Sequence, residues 1–211
     1  EEGRRILMLE GRLLPQARPA TPEVSSSRDD IDPMLTGRAG GFDPYARIPD
    51  QDLEGIDVAV LYPTNALRLP AVQNPELAVA LSQGYNNWLS DFCRDHQDRL
   101  VGIAAIPIQD MASAIAEAQR AIETLGFRGI FLRPNPYGGR NWDHPFYEPL
   151  WSAIEELGVP VAFHEGTQMI LPSAGADRFK NHWLRHMISH PHEQQIACLS
   201  FIGGGILERH P

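Results

Sequence analysis

Four short apolar runs, each followed by sequence of helical character, constrain this chain more than any other feature. They cover residues 57–64, 100–108, 129–133 and 159–164. Each is almost continuously apolar, which is how strands covered on both faces of a parallel sheet read. After the first run, Asn74-Pro75 pairs an N-cap residue with proline at the first helical position, and Leu77, Leu81, Tyr85, Trp88, Leu89 and Phe92 then recur at helical spacing to about residue 97. Helices are likewise expected over 111–125, stopped by Gly126, over 145–157, stopped by Gly158, and from the last loop to the end of the chain. The order β-α-β-α-β-α-β, with connections long enough for right-handed crossovers, predicts an α/β fold with parallel strands. A dinucleotide-binding sheet would carry G-x-G-x-x-G after a strand, and none is present. A (β/α)8 TIM barrel averages about 250 residues, so four strands in 211 residues make a partial barrel.

The amino-terminal part reads differently. Residues 5–9 and 12–14 flank Glu10-Gly11 and predict a short β-hairpin. Residues 15–45 are rich in Pro, Gly, Ser and Asp, a composition that buries little surface, and they are expected to form an irregular excursion acting as a lid or a subunit contact. A short helix is expected over 50–54, stopped by Gly55. The expected organisation is residues 1–48 as hairpin and excursion and 49–211 as the partial barrel. The chain does not open on Met and ends in a helix closed by Pro211, so both ends read as cuts through a longer protein.

A net charge of −9 with no Lys/Arg-rich run argues against a nucleic-acid partner. No stretch approaches the roughly 20 apolar residues that span a bilayer, and a cytoplasmic location is expected. Cys93 and Cys198 fall in expected helices, as small core residues of a reducing compartment.

In a barrel the carboxyl ends of the strands face one pocket. Here they carry Tyr62-Pro63-Thr64-Asn65, Pro107-Ile108-Gln109, Arg133-Pro134-Asn135 and His164-Glu165-Gly166. His164 ends an apolar run abruptly and is the first candidate for a metal ligand or catalytic base; the competing reading is a histidine that caps a strand and bonds a loop. Arg133 suits a substrate carboxylate through its planar fork, or equally a salt bridge to a neighbouring loop acid. Asn135 and Thr64 are weaker candidates, because both are common turn chemistry. His182, His186, His190 and His192 form a second group. His182 and His186 share a helical face, without the glutamate of His-Glu-x-x-His. Pro191 is expected at the first position of a helix, so His190-Pro191-His192 reads as one substrate contact or supporting group, His190, rather than two ligands. Gly203-Gly204-Gly205 lies in a helical pattern and reads as close helix packing rather than a phosphate loop.

Several of these segments carry a resemblance to the amidohydrolase-related family (amidohydrolase 2), the metal-dependent TIM-barrel hydrolases and decarboxylases that include the aminocarboxymuconate-semialdehyde and dihydroxybenzoate decarboxylases. Residues 54–64 look like its second-strand region, and 100–107 and 126–130 resemble the next two strands. Residues 144–151 are similar to the helix before the metal-histidine strand, 160–164 to that strand, and 203–211 to the helix before the sixth. The resemblance covers residues 42–211. It implies strands 2 to 5 of the barrel, in a fragment lacking both ends. It also implies a divalent metal, usually zinc, held by a His-x-His or Glu-x-His pair on the first strand, a His on the fifth and an Asp on the eighth. Of these only the fifth-strand ligand falls in the chain, on His164, and Trp183 falls near a tryptophan lining the family's pocket.

The resemblance therefore implies an enzyme when full length, a hydrolase or carboxy-lyase acting on a small carboxylated or aromatic compound with metal-activated water. Arg133, Asn135, Trp183 and His190 are the substrate-binding candidates, and the fragment alone is expected to be inactive. The alternatives are a non-catalytic barrel that binds without metal and a metal-free, lactonase-like barrel. A small-molecule substrate and a homodimeric partner are the expected associations. Two unpaired strand edges of a half barrel predict self-association or poor solubility.

Overall fold

A computed structural model describes residues 7–14, 39–166 and 171–211. The chain divides into two compact units, Glu1–Val60 with Asp91–Val101, and Leu61–Ser90 with Gly102–Pro211.

In the first unit the expected hairpin is present. Strand β1 (Leu7–Leu9) pairs antiparallel with β2 (Arg12–Leu14), Leu7 opposite Leu14, around the Glu10-Gly11 turn. Most of the Pro/Gly-rich excursion lies outside the described residues. Helix α1 (Pro44–Glu54) starts well before residue 50, because Asp43 accepts from the Tyr45 N–H and Pro44 takes the first turn. That capping pair was hidden in a loop-like composition. Arg99 ties the end of α1 to the chain after it, donating to Asp52 Oδ1 at 2.7 Å and to the carbonyls of Ile56 and Asp57. Tyr45 donates to Asp95 Oδ2 at 2.6 Å and stands edge-on to His96.

Strand β3 (Ala59–Leu61) follows, and then a 3-10 segment, Asn65–Ala71. Helix α2 (Pro75–Cys93) begins where the sequence marked it, with Asn74 Oδ1 accepting from Leu77 N–H, and passes into a 3-10 turn at Arg94–His96. The run 100–108 forms two strands rather than one, β4 (Leu100–Gly102) and β5 (Ala104–Ala105). β4 pairs with β3, and β5 joins a three-stranded sheet. At the junction Ile103 N–H donates to Leu61 O while Ala104 N–H donates to Gly129 O, so neighbouring amides serve opposite sides.

The three-stranded sheet is parallel, in the order β5, β6 (Ile130–Leu132), β7 (Val161–Phe163), with Ala105 beside Phe131 and Phe131 beside Ala162. β6 is fully buried, as its apolar run requires, whereas β7 is only half-buried. Helix α3 (Met111–Glu123) is capped by Asp110, which accepts from Ser113 N–H, and it packs on α4 (Glu148–Leu157). Gly158 stops α4 in the left-handed conformation, φ 64°, where a side chain would be strained. Trp142, Tyr147, Trp151, Phe163 and Phe201 form a chain of ring contacts joining the 134–147 loop, α4, β7 and the last long helix. Their polar atoms are satisfied locally: Trp142 donates to Pro134 O and Trp151 to Trp142 O.

Three expectations are corrected near the carboxyl end. Helix α5 (His182–Ile202) starts at His182, because Asn181 Oδ1 accepts from the N–H groups of Trp183 and Leu184. Pro191 is therefore interior, not a helix start. The glycine run ends the helix instead of lying in it, and a short α6 (Ile206–Arg209) follows. Close packing at Gly204 is nonetheless real, since a Cβ there would lie 2.3 Å from Cβ of Asp143. Cys93 is buried, with its thiol pKa raised to about 11 by burial, but Cys198 is exposed and is no core residue.

Candidate functional site

The parallel register brings two strand ends together. Leu132 lies beside Phe163, and the next amide, His164 N–H, donates to Leu132 O at 3.1 Å. Arg133 and His164 thus leave adjacent strands at the same end, as the sequence reading required.

Their side chains part there. His164 is exposed. Its Nδ1 lies 2.7 Å from the carbonyl oxygen of Glu165, and its ring lies 5.7 Å from that of Tyr62. A carbonyl oxygen only accepts, so Nδ1 carries the proton and Nε2 keeps its lone pair in the neutral ring. That is the form in which histidine binds a metal. Among the described residues no group of three or more His, Cys, Asp or Glu is arranged to hold a metal ion. The donor chemistry at His164 fits one coordination position.

Arg133 is turned into the protein, with 4% of its surface exposed. Nε and Nη2 donate to Asn135 Oδ1 at 3.1 and 2.8 Å, Nη1 to Leu67 O at 3.0 Å, and Nη2 also to Gly166 O at 3.1 Å and Glu165 Oε1 at 3.4 Å. Of the two roles open to Arg133, this geometry is that of the salt bridge to a neighbouring acid. Asn135, 1% exposed, is equally engaged, its Nδ2 donating to Pro172 O and Glu165 Oε1. Burial lowers the pKa of Arg133 and raises that of Glu165, each against the pull of the other. A guanidinium still stays charged.

His190 borders the same group. Its Nε2 is 3.5 Å from Glu165 Oε2, and its Nδ1 donates to His186 O. His192 Nδ1 likewise donates to Ile188 O, so the histidines flanking Pro191 bond carbonyls in the turn that the proline perturbs. Burial lowers the pKa of His190 and His186 adds to the effect. Trp183 is not part of this cluster: its ring is 63% exposed in the first turn of α5. Thr64 is exposed and makes no side-chain cap to the 3-10 segment.

Two acids were not singled out from the sequence. Both are buried: Glu193 accepts from Ala174 N–H through Oε1, and among the described residues neither Glu165 Oε2 nor Glu193 Oε2 has a hydrogen bond. Burial raises the pKa of both. An acid directly after the strand-end histidine was the available signal for Glu165; Glu193 gave none, because one acid on a helix is ordinary.

A parallel α/β sheet with a histidine at the carboxyl end of one strand and a buried ionic group beside it defines the class of protein. The chain belongs to the amidohydrolase family, whose model matches residues 20–211. It is 30% identical over 170 residues to a 2-amino-3-carboxymuconate-6-semialdehyde decarboxylase of Dictyostelium discoideum, covering 81% of this chain and 45% of that protein. A 2,6-dihydroxybenzoate decarboxylase from Rhizobium is similar in structure, with TM-score 0.69 and 26% identity over 78% of this chain and 52% of that one. A manganese-bound 5-carboxyvanillate decarboxylase from Novosphingobium aromaticivorans gives TM-score 0.66 and 27% identity over 78% and 46%. The chain spans about half the length of the relatives it matches.

Proposed function

We propose that the whole protein is a metal-dependent carboxy-lyase acting on a small aromatic or similarly unsaturated carboxylate, with His164 as one metal ligand. The observation that carries this reading is the strand-end imidazole of His164, exposed, with Nδ1 held by the Glu165 carbonyl and Nε2 without a hydrogen bond among the described residues. Membership of the amidohydrolase family and likeness to decarboxylases support lyase chemistry over hydrolysis. Strands β3 to β7 are then strands 2 to 5 of a (β/α)8 barrel, β4 and β5 making one barrel strand, with residues 1–48 as a lid or subunit contact of a homodimer.

A bound divalent metal would supply positive charge that polarises substrate oxygens. The chain's own residues orient and enclose. The Glu165 carbonyl holds the His164 ring, and Tyr62 flanks it. Arg133 and Asn135 form a buried floor. His190 and Trp183 are the predicted residues that retain exposed surface for a substrate. Manganese is the first metal to test beside zinc, since a similar decarboxylase carries it.

The test is CO2 release by the full-length protein from 2,6-dihydroxybenzoate and 2-amino-3-carboxymuconate-6-semialdehyde, with Mn2+ or Zn2+ added. Metal-dependent release that His164→Ala abolishes, together with stoichiometric metal, is the expected result. Full metal content and turnover in that variant would overturn the ligand role.

A further inference from the structure

We propose that Arg133 is a positioning residue for His164: by holding both flanks of the Glu165–Gly166 peptide, it sets which ring nitrogen of His164 carries the proton. The two residues do not touch; the link is that peptide. Its carbonyl oxygen, that of Glu165, receives the His164 Nδ1 proton at 2.7 Å. On one flank, Arg133 Nη2 reaches the Glu165 carboxylate at 3.4 Å, and on the other it donates to Gly166 O at 3.1 Å. The guanidinium is itself fixed by Asn135 Oδ1 and Leu67 O. Both flanking contacts are made by Nη2, and the bonds of the guanidinium to Asn135 Oδ1 and Leu67 O fix the plane that aims it between them.

Glycine at 166 leaves room for this arrangement. A Cβ there would lie 2.7 Å from Arg133 Nη1 and 3.1 Å from Cζ. The close approach of guanidinium to backbone is therefore built into the sequence at both positions. If the 165–166 peptide turned, the carbonyl would leave Nδ1, and no other contact among the described residues would hold the ring as the Nδ1–H tautomer. The available lone pair would then move to Nδ1, close to the backbone, and Nε2 would lose its capacity as a ligand. Only this last consequence rests on the metal-ligand reading; the tautomer does not.

The experiment is a long-range 1H–15N correlation spectrum of the 15N-histidine-labelled full-length protein, stripped of metal and recorded where the rings are neutral, with the His164 signals assigned by their loss in His164→Gln. The wild-type chain is expected to show Nδ1 protonated and Nε2 bare. Arg133→Lys keeps a charge beside Glu165 but loses the fork, and Gly166→Ala keeps every charge but displaces the guanidinium. Both are expected to move His164 toward the Nε2–H form. In the full-length protein they are expected to weaken Zn2+ binding by about 10- to 100-fold. Melting curves on the same samples establish that each variant is folded, and Gly166→Ala serves if Arg133→Lys is not. Nδ1–H retained in the folded variants, or Nε2–H in the wild-type chain, overturns the proposal. If Zn2+ leaves the His164 signals of the full-length protein unchanged while the tautomer shifts as stated, the ligand reading fails and the positioning role stands.

Discussion

Glu117 and Glu165 are both buried carboxylates, 2% and 4% exposed, each beside an arginine and an asparagine, yet their surroundings differ in kind. Around Glu117 every side-chain oxygen is answered. Arg120 donates to it through Nε at 2.8 Å and Nη2 at 2.7 Å, and Asn86 Nδ2 donates at 2.6 Å. Asn86 also bonds both the N–H and the carbonyl of Ala105, which locks helix α2 and helix α3 to strand β5. Around Glu165 the contacts are long, 3.4 Å from Arg133 and from Asn135, and Oε2 has no hydrogen bond among the described residues. A closed network fixes a fold; an open one at a strand end keeps polar capacity that the fold does not consume. The contrast supports the proposal of a site beside Glu165 rather than beside Glu117, although both places look alike in composition.

The contrast can be broken first by removing the arginine. Arg133→Met leaves the buried Glu165 carboxylate without its arginine and is expected to cost about 3–5 kcal/mol in urea unfolding, the range for breaking a buried pair. A loss within the roughly 0–1 kcal/mol of an exposed pair would mean that Arg133 and Glu165 do not act as a buried unit. Next comes Asn86→Ala, which strands both backbone groups of Ala105 and should cost about 2–3 kcal/mol. The His164 tautomer should not change in that variant, because its network is separate; a changed tautomer would merge the two regions. Smaller still is the pair of amide substitutions. Glu117→Gln loses charge-assisted bonds and is expected to cost about 1.5–3 kcal/mol. Glu165→Gln should cost less than Glu117→Gln, since Arg133 keeps Asn135, Leu67 and Gly166 as acceptors. The reverse order would show that Glu165 is the better satisfied acid.

The smallest effect concerns a partly exposed ionic group for reference. His210 lies 3.0 Å from Glu148 and 2.8 Å from Glu155. Burial opposes its charge, but the hydrogen bonds to Glu155 and Glu148 outweigh that and raise its pKa above 6.5. Arg209, with His210, lowers the Glu148 pKa from 4.5 to about 2. A raised folded pKa means that the His210 contribution is full below about 6.5 and is lost as pH rises through the folded value. A depressed one means that the Glu148 contribution is present above about 4.5 and is lost as pH falls toward 2. The Tm difference between wild type and His210→Gln should therefore be largest between about pH 4.5 and 6.5 and shrink on either side. A difference independent of pH would exclude an ionic contribution.

Much of the element order was legible in the sequence because each signal is local. Asn74-Pro75 marks a helix start, Gly158 a helix stop, and the apolar run before His164 a buried strand. The misreadings arose where a local signal has two meanings. Pro191 looked like a first helical residue, but the competing cap at Asn181 lies ten residues earlier and the helix continues through the proline. The Asp43-Pro44 cap sat in a stretch whose composition resembles a loop, so α1 was read too short. In the site, the shared strand end of Arg133 and His164 followed from parallel pairing. The burial of Arg133 and Asn135 and the part of Glu165 did not, because they depend on contacts with Leu67 and Pro172, far away in the chain.

By itself the sequence determined which residues are strand and helix formers, and that a histidine ends the apolar run at 159–164, since periodicity and capping act over a few residues. Only the tertiary structure decided where the polar groups at the strand ends turn. Arg133 faces inward and His164 outward because the loops carrying Leu67 and Gly166 supply buried acceptors on one side of the sheet end, and an unpaired guanidinium could not be buried without them.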